Sequence, residues 1–316
     1  MFILDTDGGT DDALALLMLL GNDRAPDLIT TCFGNVGLEQ STVNILDVLS
    51  VAGVDIPVHT GAEKPLRGPI VNAQDVHGED GLGGATRPQI RSEVSSSDAV
   101  GEIIRVLRNA LMLGRQGSVD ILMLGPLTNL ALVLDRAPEL AAAIGRLWIM
   151  GGTCRGRGNI TAAAEFNIYC DPEAAEIVLG QPLNTTVIPW EPTLQTALPA
   201  DVLAGMFSRL PDCPVVSFAR EICDHGRALA QDWYQDDFLI MPDPLAAAYV
   251  LDEAVSTRTM ICGVLVETEG RFSRGATIID YEGKASRPVV GIVEKVDRTK
   301  LEKYFELGLE GLASRF

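Results

Sequence analysis

The sequence predicts an α/β fold: an open, mostly parallel, Rossmann-like sheet with helices on both faces and its site at the C-terminal strand ends. Three observations predict it. Short apolar runs of strand length alternate with helical patterns along the chain. One of them, residues 119–124, is almost wholly apolar, as a strand covered on both faces must be. Asp5, Asp7, Asn35, Gly125 and Gly151 all follow strand ends, where open α/β sheets bind ligands.

Each element has its own signal. Residues 2–4 form a short apolar strand ending in carboxylates, and 11–20 a helix whose acidic first turn suits the macrodipole. Residues 27–33 read as the next strand, 40–52 as a helix and 56–58 as a strand. Helix 97–113 leads into strand 119–124, and a helix follows through Leu134. Strand 145–150 ends at Gly151 and Gly152. Asp171 caps a helix with Pro172 at its first position, running to Leu179. Strand 185–188 follows, then a helical pattern over 200–230. The acidic and aromatic stretch 232–237 reads as a loop. A helix covers 243–251, strands cover 260–268, 276–281 and 289–296, and a helix over 299–313 closes the chain. There is no repeat, low-complexity tract or linker, so one domain over 1–316 is expected.

Composition narrows the function classes. The chain has 316 residues, 47% hydrophobic and 22% charged, which suits a globular enzyme and excludes disorder. A formal net charge of -18 makes a nucleic-acid polymer a poor partner. None of the six cysteines form C-x-x-C pairs, which argues against zinc or redox motifs and for thiols in a reducing compartment. The N-terminus shows no secretory pattern, and no apolar run is long enough to span a bilayer, so a cytoplasmic, membrane-free protein is expected.

The densest chemistry is DTDGGTDD at 5–12, which packs Asp5, Asp7, Asp11 and Asp12 into eight residues. The glycines permit a tight turn. Four such carboxylates repel unless a cation sits among them, and a hard cation with six to eight oxygen ligands suits the set. A plain turn opening a negatively charged helix is the bland reading of the same residues.

The motif, extended through Ala13, resembles the aspartate signature of the inosine-uridine preferring nucleoside hydrolases, with Gly8 where proline is usual. FGNV at 33–36, HGEDGL at 77–82, LGPLTN at 124–129, MGG at 150–152, AEFNI at 164–168, DPEAA at 171–175 and DPLA at 243–246 resemble further blocks of that family, in family order. The resemblance implies Ca2+ held by Asp7, Asp12, Asp243 and the main-chain carbonyl of Leu124. It implies ribose contacts from Asp11, Asn159, Glu165, Asn167 and Asp243, with Asn35 and Met150 lining the site and Asp5 orienting its neighbours. It implies a homodimer or homotetramer acting on ribonucleosides. Breaking the C1′–N bond leaves an oxocarbenium-like sugar, which carboxylates favour, and Asp7 is the expected general base.

Taken singly, Glu165 and Asn167 read as ordinary loop polar residues, Asn35 as turn chemistry and Asp243 as a helix cap. His59 and His225 read as structural, and His77 as a residue on the nucleobase side. The pattern departs from the family at Pro242, which stands where a leaving-group histidine is common and has no proton to give. Glu191 replaces a usual aspartate and Gln195 a frequent histidine. The missing acid could come from the 232–237 loop, whose Trp233 and Tyr234 could also stack on a base. A leaving group needing little help, or stacking and solvent alone, would also serve. Two other classes stay open: a haloacid dehalogenase-type phosphohydrolase using Asp5 as nucleophile, and a non-catalytic ribose- or nucleoside-binding protein.

Overall fold

The computed structural model describes residues 1–89 and 93–316. Its strands are β1 (Phe2–Thr6), β2 (Leu28–Thr31), β3 (Val58–Thr60), β4 (Val119–Met123), β5 (Ile144–Met150), β6 (Thr185–Ile188), β7 (Leu198–Pro199), β8 (Phe238–Leu239), β9 (Ser256–Val266), β10 (Thr277–Asp280) and β11 (Val289–Val296). Its helices are α1 (Thr10–Gly21), α2 (Leu38–Ala52), α3 (Gln74–His77), α4 (Ala99–Met112), α5 (Thr128–Arg136), α6 (Phe166–Cys170), α7 (Pro172–Leu179), α8 (Trp190–Gln195), α9 (Ala200–Arg209), α10 (Pro214–Tyr234), α11 (Pro242–Leu251) and α12 (Arg298–Ala313).

Nine strands form one sheet in the order β10-β9-β11-β6-β5-β4-β1-β2-β3. From β3 to β11 the neighbours run parallel, and β9 runs antiparallel to β11 and β10. The expected mostly parallel sheet is present. Alternation along the strands sends side chains to both faces. Phe2, Leu4, Leu122 and Trp148 pack with α1, α2, α11 and α12 on one face. Ile3, Ile121, Met123 and Ile149 pack with α4, α5 and α7 on the other.

The strand order places the site. After β1 the chain moves outward to β2 and β3, then returns to lay β4 on the other flank of β1. The sheet therefore changes direction between β1 and β4, and a crevice opens beyond their C-terminal ends. The aspartate motif leaves β1 there, and Leu124 follows β4.

Two boundaries differ from expectation for physical reasons. The pattern over 200–230 splits into α9 and α10 at residues 210–213, where Pro211 interrupts and Pro214 opens the next helix. Stretch 232–237 is not all loop. Trp233 and Tyr234 form the last turn of α10, which stops where Gln235 adopts a left-handed conformation at φ 55°. Of the polar residues that suggested a loop, Asp232 lies in the helix, while Gln235, Asp236 and Asp237 follow its end. Also unforeseen, α3 places His77 at a helix end instead of in a plain loop.

Candidate active site

The crevice is a cavity of about 350 Å³, within the range of small-molecule sites. Of the expected site residues, Asp11, Asn35, His77, Leu124, Met150, Asn159, Glu165, Asn167, Trp233, Tyr234 and Asp243 line it together. Asp7 and Asp12 are fully buried just behind that wall.

The turn carrying the aspartates is shaped by Gly8, at φ +68°, a value proline cannot adopt. A Cβ at Gly8 would lie 2.6 Å from the Ser41 backbone. Asp7 accepts from the Asn35 backbone N–H (2.7 Å) and from its Nδ2 (3.0 Å). Asp12 accepts from Gly9 N–H (2.8 Å), Asn35 Nδ2 (3.0 Å) and the Thr6 hydroxyl. Asn35 thus ties the two carboxylates together. Thr6 lies within the motif but carries no charge, so the pattern of carboxylates did not single it out.

Asp11, Asp12 and Asp243 offer one carboxylate oxygen each within 4.8 Å of one another. Asp11 Oδ1 is buried with no hydrogen-bond partner. Burial, then the charge of Asp12, pushes Asp7 well above the usual carboxylate range; burial, then Asp11, Asp12 and Asp7, does the same to Asp243. The donors are all oxygen, which fits a hard divalent cation and no soft one. Leu124 carbonyl accepts from Asn167 Nδ2 at 2.7 Å and keeps a second lone pair.

On the other wall, Glu165 accepts backbone N–H groups of Gly152 (2.8 Å), Asn167 (3.0 Å) and Ile168 (3.3 Å). Asn167 spends its Nδ2 on the Leu124 and Met150 carbonyls, so its Oδ1 is left for a ligand. Asn159 Oδ1 accepts from Phe166 N–H at 2.9 Å, which leaves its Nδ2 free.

Asp5 stands apart. It is fully buried and bonded to the Thr30 hydroxyl and Asn129 Nδ2, not to the cavity. It could not act as a phosphorus nucleophile there, so the phosphohydrolase reading fails on geometry.

His77 Nδ1 accepts from the Thr10 backbone N–H (3.1 Å) and lies 2.7 Å from its hydroxyl. A backbone N–H can only donate, so Nδ1 is bare and the proton sits on Nε2. Burial holds the ring down to about 4, so it is neutral, and its 3.6 Å approach to Asp11 is no ion pair. His225 bonds the Val76 carbonyl through Nε2 at 2.9 Å, a structural role as expected. The 232–237 segment does not supply the missing acid through its carboxylates: Asp232, Asp236 and Asp237 do not line the cavity. Arg227 grips Asp237 with two bonds, at 2.8 and 2.9 Å, and holds it below the usual range.

The buried acids make a stability prediction. Burial raises Asp5 to about 7, Glu165 to about 7 and Asp11 to about 6, and Asp7, Asp12 and Asp243 also rise. The folded chain keeps protons that the unfolded chain loses near 3.8 to 4.5. Their stabilising effect is complete below that value and is lost as pH rises to about 7. His77, shifted down, works in the opposite sense but is outnumbered. Chelator-treated protein should therefore show a falling Tm from about pH 5 to about pH 8, and an added divalent cation should reverse most of the fall. A flat or rising Tm in chelator would contradict this account.

Among the described residues, no helix is long and apolar enough to cross a membrane. Comparison with known proteins agrees with the site. The family model described as inosine-uridine preferring nucleoside hydrolase matches residues 2–303. The pyrimidine-specific ribonucleoside hydrolase RihA of Klebsiella pneumoniae subsp. pneumoniae is 36% identical over 320 residues, covering 98% of this chain and 97% of that protein. The non-specific ribonucleoside hydrolase RihC of Klebsiella pneumoniae is 35% identical, covering 92% and 91%. A plant nucleoside hydrolase structure superposes with a TM-score of 0.89 at 30% identity, covering 98% of each chain. A purine-preferring ribonucleoside hydrolase from Gardnerella vaginalis gives 0.89 at 28% identity, covering 100% and 99%. With the carboxylates lining a small-molecule cavity and the whole-chain likeness in agreement, this chain belongs to the inosine-uridine preferring nucleoside hydrolase family and is a nucleoside hydrolase, an enzyme that cleaves the N-ribosidic bond of ribonucleosides.

Proposed function

We propose that the enzyme works with calcium held by Asp7, Asp12, Asp243 and the Leu124 carbonyl, and that Asp7 is the general base. The observation that carries this reading is the buried cluster of Asp11, Asp12 and Asp243, with Asp7 close enough to feel the charge of Asp12; these charges repel one another unless a cation or protons are present. Bound there, calcium would anchor ribose hydroxyls and ease deprotonation of a water. Asp7 is oriented through both oxygens by Asn35 and takes the proton of the attacking water. Asp11 and Glu165 line the cavity, and their carboxylates, ionised once a cation sits beside them, would favour the positive charge that develops as C1′–N breaks. Asn167 Oδ1 and Asn159 Nδ2 hold the ribose, which makes positioning a large part of the acceleration. The six free cysteines suit the reducing cytoplasm.

The base side is built differently from the ribose side. Its wall is apolar, with Leu14, Ile222 and Leu229, and carries the rings of Trp233 and Tyr234. Those rings are about half exposed, at 54% and 49%, so a base could cover them. Pro242 lines the cavity without a proton to offer. The neutral His77, with its Nε2–H, takes the place of a donor to the departing base. Relatives are described as pyrimidine-specific, non-specific and purine-preferring, so the base is assigned by assay.

Reducing-sugar release from a panel of purine and pyrimidine ribonucleosides, with and without chelator, tests the proposal. Release that stops in chelator and returns with calcium is expected. Binding of calcium and ribose without any release would favour a ribose-binding protein instead. Removing both rings, as Trp233→Ala and Tyr234→Ala, should cut turnover of natural nucleosides far more than of an activated nitrophenyl riboside. Equal losses on both substrates would rule out a role for the rings in helping the base leave.

A further inference from the structure

Glu191 is the acid that stands where the family pattern has an aspartate, and nothing in the reaction as described uses it. Its carboxylate is engaged nonetheless. Oε2 accepts from Cys154 N–H at 2.8 Å, and Oε1 from Arg155 N–H at 2.8 Å and Arg157 N–H at 3.2 Å. Three backbone donors within four residues therefore converge on one side chain. These residues belong to segment 153–164, which leaves the end of β5 and carries Arg157, Gly158, Asn159 and Ile160 into the cavity wall.

The rest of that segment is closed on itself. The N–H groups of Asn159, Ile160 and Thr161 all point at the Ala164 carbonyl, and the Thr161 hydroxyl accepts from Ala163 and Ala164 N–H. No side chain fits at Gly158, whose Cβ would run into the carbonyls of Thr161 and Ala164. The outgoing limb, 154–157, has a different anchor. It is held from outside by Glu191, at the start of α8, and Trp190 N–H ties that helix to the Gly152 carbonyl at 3.0 Å. A charged acceptor makes each of these bonds stronger than a neutral one would be.

We infer that Glu191 is a positioning residue: by gathering the Cys154, Arg155 and Arg157 amides it sets where Asn159 presents Nδ2 to the ribose. The inference rests on the reading of Asn159 as a ribose contact. Glu191 touches no substrate, so its effect should appear in substrate binding more than in bond cleavage. The side chain is only partly buried, so replacing it leaves no sealed cavity.

The test is steady-state kinetics in calcium for Glu191→Ala, Glu191→Gln, Asn159→Ala and the double variant Glu191→Ala with Asn159→Ala. Glu191→Ala is expected to raise KM about tenfold, the scale of one lost polar contact, with kcat held within about threefold. Glu191→Gln should recover most of the KM, because its one carbonyl oxygen still accepts amides of the limb. In the Asn159→Ala background, Glu191→Ala should add less than about twofold, since coupled sites do not add. A KM unchanged by Glu191→Ala, or losses that multiply in the double variant, would overturn the role of Glu191 alone. An Asn159→Ala variant with unchanged KM would overturn the ribose reading and the inference with it. If Glu191→Ala does not fold, Glu191→Leu, which keeps the bulk but accepts no hydrogen bond, decides with hydrogen exchange across 154–157. Faster exchange with a raised KM supports positioning, and faster exchange with an unchanged KM overturns it.

Discussion

Asp7→Asn is expected to lower kcat on a natural ribonucleoside by about 10²–10⁴-fold, the range that a positioned general base contributes. The substitution keeps volume and position, so its effect is chemical. Asparagine is no base. Its Oδ1 can still accept the Asn35 backbone N–H, while its Nδ2 loses the bond from Asn35 Nδ2, which stays on Asp12. The alternative cause of a loss is weakened metal binding, and calcium titration separates the two. Asp12→Asn, which removes a charge from the proposed metal set, should recover part of its activity as calcium is raised. Asp7→Asn should stay slow at saturating calcium. Retention of kcat within about tenfold at saturation would remove Asp7 from the general-base role.

The second large effect has opposite signs in activity and stability. Asp243→Asn is expected to cost at least about 10²-fold in activity, since even residues that only support a metal ligand cost 10–100-fold. It should also raise the Tm of the chelator-treated protein. The physical reason is the placement of Asp243. It is 2% exposed, at the start of α11, and burial followed by the charges of Asp11, Asp12 and Asp7 raises it well above the usual range. Neutralising it relieves repulsion that a bound cation or a bound proton otherwise relieves. A shift of a few degrees is expected, because about 1 kcal/mol moves Tm by ~2 °C in a chain of this size. The size of the gain depends on pH: because the wild-type carboxyl is shifted up, more of it is ionised at pH 8 than at pH 5, and the gain is larger at pH 8. Scanning calorimetry in chelator at both pH values measures this. A lower Tm for Asp243→Asn at pH 8 would show that the acid serves the fold instead of opposing it.

The sequence by itself determined the chemistry that is local in the chain. DTDGGTDD, the asparagine after β2, AEFN and DPLA could be read directly, because carboxylate density, glycine turns and helix caps are properties of adjacent residues. The parallel sheet was legible too, from apolar runs alternating with helices. The resemblance added which of these blocks belong to one site. Local signals failed at helix ends: the polar residues around the end of α10 made all of 232–237 look like a loop, and the structure keeps Trp233 and Tyr234 helical.

Only the tertiary structure decided the partners. Asn35 bridges Asp7 and Asp12 because β2 lies beside β1, and Asn167 reaches the Leu124 carbonyl because β5 lies beside β4. Thr10 fixes the tautomer of His77 across 67 residues, and Glu191 holds the Asn159 segment from 34 to 37 residues away. Asp5 looked like its neighbours in the motif, yet its side chain turns to Thr30 and Asn129 and away from the cavity. Such contacts depend on strand order and on the alternation of side chains across the sheet. Strand order is set by long-range pairing, which no short stretch of sequence encodes.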